Sequence, residues 1–79
     1  PNPFRASADV RFELPRAGGM NLSVYDVSGR RVRTLMSGPH AAGGHAAAWA
    51  PAPGEAPGVY FLRLSAGRES LTRKVTVLR

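Results

Sequence analysis

The sequence predicts an all-β fold in which short strands pack as a small antiparallel sandwich. Two observations predict it. No segment keeps a helical apolar period over ten residues or more. Apolar and polar residues instead alternate in short runs, with Gly, Pro, Asp or Ser between them.

The elements follow in order. Asn2 to Ala6 reads as a short edge strand, because Pro1 and Pro3 cannot donate to a ladder. Val10, Phe12 and Leu14 alternate with Arg11 and Glu13, the pattern of a half-buried strand. Pro15 ends that strand, and Ala17-Gly18-Gly19 turns the chain. Met20, Leu22 and Val24 alternate with Asn21, Ser23 and Tyr25 in a second strand that closes at Asp26. Asp26-Val27-Ser28-Gly29 is a tight-turn signal, with Asp to bond nearby backbone and Gly to take positive φ. Arg30 to Met36 is the next strand, with Val32 and Leu35 or Met36 inward. Its broken alternation predicts a bulge.

Ser37 to Gly44 reads as a loop and His45 to Trp49 as a strand. Pro51 to Pro57, with three prolines and a glycine, is the longest irregular stretch. Val59 to Ser65 is the most apolar strand, Ala66-Gly67 turns, and Leu71 to Leu78 is the last strand. About seven strands with turns at sandwich spacing fit a minimal immunoglobulin-like fold, with a barrel as the structural alternative. The predicted core is Val10, Phe12, Leu14, Leu22, Val24, Trp49, Tyr60, Leu62, Leu64, Val75 and Val77.

Size and composition bound what such a chain does. Its 79 residues make one domain, residues 1–79, and leave little room for an enclosed active site beside a core. The start at Pro1, without methionine, reads as a piece of a longer protein, here its C-terminal part. No run of apolar residues is long enough for a membrane-spanning helix. With no cysteine, a disulfide framework, a thiolate zinc site and a cysteine nucleophile are excluded.

The net charge is +6, and Lys74 is the one lysine among eleven basic residues. That bias raises nucleic acid as a partner. However, no row of exposed aromatics or groove helix accompanies it, and Tyr25 and Phe61 stand on separate strands. No specific nucleic-acid binding is expected. Gly29-Arg30-Arg31-Val32-Arg33 reads as a turn and a solvated strand face.

No residue set points to catalysis, a cofactor or a metal. His40 reads as a loop residue and His45 as a sheet-face residue, neither with a ligand or nucleophile at useful spacing. Asp26 reads as a turn residue, since calcium needs six to eight oxygen ligands and no acidic cluster is evident. Trp49 reads as a core anchor, and Tyr60 as a buried ring with its hydroxyl bonded to a nearby loop.

The order of the motifs carries a resemblance. Asn2-Pro3-Phe4 opens the chain, and a Val10 to Pro15 strand follows. Then come Leu22 to Leu35 with Tyr25-Asp26 and Gly29-Arg30, Gly43-Gly44-His45 to Trp49, Gly58-Val59-Tyr60-Phe61, and a close from Lys74 to Arg79. This pattern resembles the C-terminal sorting domains of type IX secretion and the immunoglobulin-like domain of the flagellar hook-capping protein. One departure falls at Ala50 to Pro57, where the family pattern is more polar.

The resemblance implies a non-catalytic label on a secreted bacterial cargo. The outer-membrane secretion machinery would read it and route the cargo to the cell surface or medium. Lys74 and Arg79 would be the recognition residues. The competing expectation is a structural immunoglobulin-like module or subunit of an extracellular appendage, whose partners are neighbouring subunits. The residues do not fix an oligomeric state.

Overall fold

The computed structural model describes residues 8–51 and 55–78. Six strands run through them: β1 (Ala8–Leu14), β2 (Gly18–Tyr25), β3 (Arg31–His40), β4 (Gly43–Trp49), β5 (Gly58–Ala66) and β6 (Glu69–Val77). They form two antiparallel sheets, one of order β1-β4 and one of order β3-β2-β5-β6. The fold is all-β, as the alternation predicts, but with six strands among the described residues rather than seven. The strand expected at Asn2 to Ala6 lies outside them.

The two sheets bury their facing sides against each other. Trp49 of the smaller sheet packs with Val24, Tyr60, Leu62, Val75 and Val77 of the larger one. A second cluster joins Leu14 of β1 to Met20 and Leu22 of β2. The Trp49 ring meets Tyr60 edge-on with centroids 5.0 Å apart, the geometry that suits two ring quadrupoles. The expected core differs in two ways. Val10, Phe12 and Leu64 are only half-buried and pack against the margins of the buried clusters. Met20 is fully buried, one more inward step in the β2 alternation.

The bulge expected in the third strand is present, and in fact occurs twice. The β2–β3 register slips between Leu22 and Ser23 and again between Val24 and Tyr25. Leu35 and Val32 are the extra residues at the two slips. Each slip lets an additional apolar side chain of β3 reach the core: Val32 packs on the Trp49 cluster, while Leu35 and Met36 reach the Leu22 cluster. A strictly alternating strand would turn half of these side chains to solvent.

The loop expected over Ser37 to Gly44 is a correction. Ser37 to His40 continues β3, β4 starts at Gly43, and only Ala41 and Ala42 connect them. Gly38 and Pro39 have the look of turn residues, but they pair with Met20 and Gly19. Pro39 is tolerated because β3 is an edge strand, where the missing N–H can face away from the sheet. His40 therefore ends a strand rather than sitting in a loop.

Two glycines matter for the turns. Gly29 (φ 88°) closes the β2–β3 turn, and Gly67 (φ 59°) sits in the two-residue connection between β5 and β6. Both angles lie in the left-handed region that side chains resist.

Candidate recognition surface

The polar groups of this domain sit mainly in turns and on sheet faces. The best-ordered polar site is the Asp26 turn. Its Oδ1 accepts hydrogen bonds from the backbone N–H of Ser28 (3.0 Å) and Arg30 (3.0 Å) and from the Ser28 hydroxyl (2.6 Å). Its Oδ2 takes the Arg30 guanidinium at 3.2 Å. The Ser28 hydroxyl, helped by the backbone N–H groups and the Arg30 charge, holds the carboxyl below its ordinary range against desolvation, which is second in size to the Ser28 bond. Every donor that reaches Asp26 in these bonds belongs to its own turn, from Ser28 or Arg30. Its role is structural, as its place in the sequence predicts.

Arg33 does similar work at the other end of the chain path. It donates to the carbonyl of Ala50 (3.1 Å) and pairs with Glu55 (3.4 Å), tying β3 to both ends of the β4–β5 connection. Tyr60 donates its hydroxyl to the Ala56 carbonyl at 2.6 Å, the loop bond expected of it. In this family-departing loop, the chain's own side chains thus anchor the described parts.

The two histidines do meet. Their rings stand edge-on at 5.5 Å, and His45 stacks on Phe12 at 5.5 Å. Each also donates to a backbone carbonyl, His40 to Gly38 and His45 to Ala41. They form an aromatic patch at one end of the smaller sheet. Among the described residues no three His, Cys, Asp or Glu side chains gather where a metal ion could bind. No described helix is long and apolar enough to cross a membrane.

Of the two residues expected to carry recognition, Lys74 lies in β6, exposed and opposite Phe61. Arg79 lies outside the described residues. The same strand buries Val75 and Val77. On β6 the outward face therefore offers polar groups while the inward face completes the core.

Sequence reasoning missed the relation between Tyr25 and Phe61. They stand on separate strands, but β2 and β5 are neighbours and the two residues are directly opposite. The sequence holds no signal for this, since the pairing joins segments more than thirty residues apart.

Among the described residues the polar groups lie in turns, at strand ends and on sheet surfaces. The comparisons give the domain a class. The family model for the secretion system C-terminal sorting domain matches residues 1–78. The chain belongs to this family and is a sorting signal for type IX secretion of a cargo protein to the cell surface or medium. Interaction with the secretion machinery follows from that role. The resemblance to the hook-capping domain gains no support. No curated protein and no solved structure matches the chain.

Proposed function

We propose that the domain acts as a folded, non-catalytic label, read by the outer-membrane translocon through its last strand, with Lys74 and Arg79 as recognition residues. The observation that carries this is the division of labour within β6. Val75 and Val77 hold the strand to the core, while Lys74 between its neighbours faces solvent. β6 is also the end strand of its sheet, paired only with β5 among the described residues. An edge strand already held in register can accept a partner strand without further ordering cost, the principle of strand addition.

The finer fold reading is immunoglobulin-like with a seventh strand. Its support is the topology: a sheet of order β3-β2-β5-β6 faces one that pairs the first and fourth described strands. Among the described residues, β1 pairs only with β4. Its other edge is where a further strand belongs in such a fold.

Deleting Lys74 onward is a poor test, since it also removes Val75 and Val77 from the core. The informative variant is Lys74→Glu in residues 1–79 fused behind a periplasmic reporter, in a host with an intact type IX system. An unchanged melting temperature with reduced reporter in the medium is expected. Full export of the folded variant removes Lys74 from the recognition set.

A further inference from the structure

Strand register fixes which side chains share the outer face of the larger sheet. Met20, Leu22 and Val24 are buried, so Asn21, Ser23 and Tyr25 of β2 lie on the opposite face. Tyr25 is opposite Arg31 of β3 on one side and Phe61 of β5 on the other, and Phe61 is opposite Lys74 of β6. One row across all four strands thus reads cation, aromatic, aromatic, cation. In the adjacent row Arg63 stands between Ser23 and Thr72. The row beyond holds only Ser37, Asn21, Ser65 and Ser70.

None of the chain's five carboxylates shares this face. Asp9 and Glu13 belong to β1 of the other sheet, Asp26 closes its turn, Glu55 pairs with Arg33, and Glu69 is opposite the core-packed Ala66. Arg31 and Arg63 are exposed and make no ion pair among the described residues. By contrast, Arg30 and Arg33 are matched with acids. Arg31, Arg63 and Lys74 thus share a face that carries two aromatic rings and, among the described residues, no acid.

We propose that this face is a docking surface for an acidic segment of a protein partner. The proposal rests on the sorting reading for the kind of partner, a protein of the secretion machinery, and names the chemistry that partner must present. The spacing favours carboxylates over phosphate. Arg31 and Lys74 end a row three strand spacings long, about 14 Å, with Arg63 between them in the next row. Only Arg63 and Lys74 are diagonal neighbours on adjacent strands. Arg31 stands two strands away from Arg63, so the three cations do not form one compact phosphate grip. Separate cations among hydroxyl groups match carboxylates spread along an extended segment. Tyr25 and Phe61, both half-buried, supply the apolar contact at the centre.

The test compares the 79-residue chain with R31E/R63E and with R11E/R68E, which changes net charge equally through residues off this face. The probe is a labelled fifteen-residue polyglutamate peptide at low salt, set beside phosphatidylglycerol vesicles and a single-stranded oligonucleotide. The same three sequences are fused to the periplasmic reporter. The expected result is peptide binding that R31E/R63E weakens about tenfold more than R11E/R68E does, with a parallel loss of export confined to R31E/R63E. Equal losses in both variants would reduce the effect to net charge and overturn the proposal. So would vesicle or oligonucleotide binding that depends on Arg31 and Arg63 where peptide binding does not. If the unaltered domain exports the reporter and R31E/R63E exports it equally, the docking face is wrong and the sorting reading stands. If the unaltered domain exports nothing, the sorting reading itself fails.

Discussion

Single residues decide whether the turns and the sheet faces hold. Asp26 is the clearest case, because one carboxylate satisfies three donors of its turn through Oδ1 and a guanidinium through Oδ2. Its pKa is lowered from the ordinary 3.8, first by the Ser28 hydroxyl. The unfolded chain therefore binds the proton more tightly than the folded one. Stability from this group is complete above the unfolded value and is lost as pH falls through the folded value. Thermal melts of the native chain are expected to lose stability across the acidic range below about pH 4. Asp26→Ala should melt lower at neutral pH and show a shallower acid decline. An identical acid decline in the variant would mean that other carboxylates carry it. Ser23 shows a different residue-scale effect. It is wholly buried on the outer sheet face that it shares with Asn21, Tyr25, Phe61 and Arg63, donating to Asn21 at 2.6 Å. Burial there comes from its neighbours on the face rather than from the core, so alternation alone gives no warning of it.

At the scale of elements, strands whose faces differ strongly were legible, and strands at edges were not. β2 and β5 sit centrally and lie close to the expected strands Met20 to Tyr25 and Val59 to Ser65. However, Gly18 and Gly19, expected to turn the chain, pair with His40 and Pro39 and open β2. β3 is an edge strand with two bulges, and its Gly38 and Pro39 imitate a turn, so its last four residues read as loop. The local residues are the same in either case. What decides is the partner strand β2, where Gly18 to Asn21 meet His40 to Ser37 across the hairpin. β6 shows the converse limit. Its pattern marks Val75 and Val77 as inward, yet Leu71 on the same inward set is 64% exposed, because the smaller sheet does not extend over it. Leu22→Ala should then cost about 2–5 kcal/mol, since that side chain is enclosed on all sides. Leu71→Ala should stay within about 0.5 kcal/mol. Denaturant melts of both variants measure the contrast. A cost at Leu71 near that at Leu22 would place a further element over the open half of the larger sheet.

The whole molecule is a scaffold for surface presentation. The core consumes Trp49, Tyr60 and most aliphatic side chains, and the polar networks close turns and loops. The faces and edges remain for a partner. The sorting role was legible in the sequence through the order of small motifs from Asn2 to Arg79 rather than through any one residue. The candidate surface was less so, because Lys74, Phe61, Tyr25 and Arg31 form a row only after four strands have paired. The central claim is that this fold is sufficient to direct export. The most direct measurement places residues 1–79 behind a periplasmic reporter and follows the reporter in paired hosts, one with an intact type IX translocon and one without. The account predicts reporter at the surface or in the medium of the first host and retained in the periplasm of the second. Reporter retained equally in both hosts, with the domain folded, would contradict it.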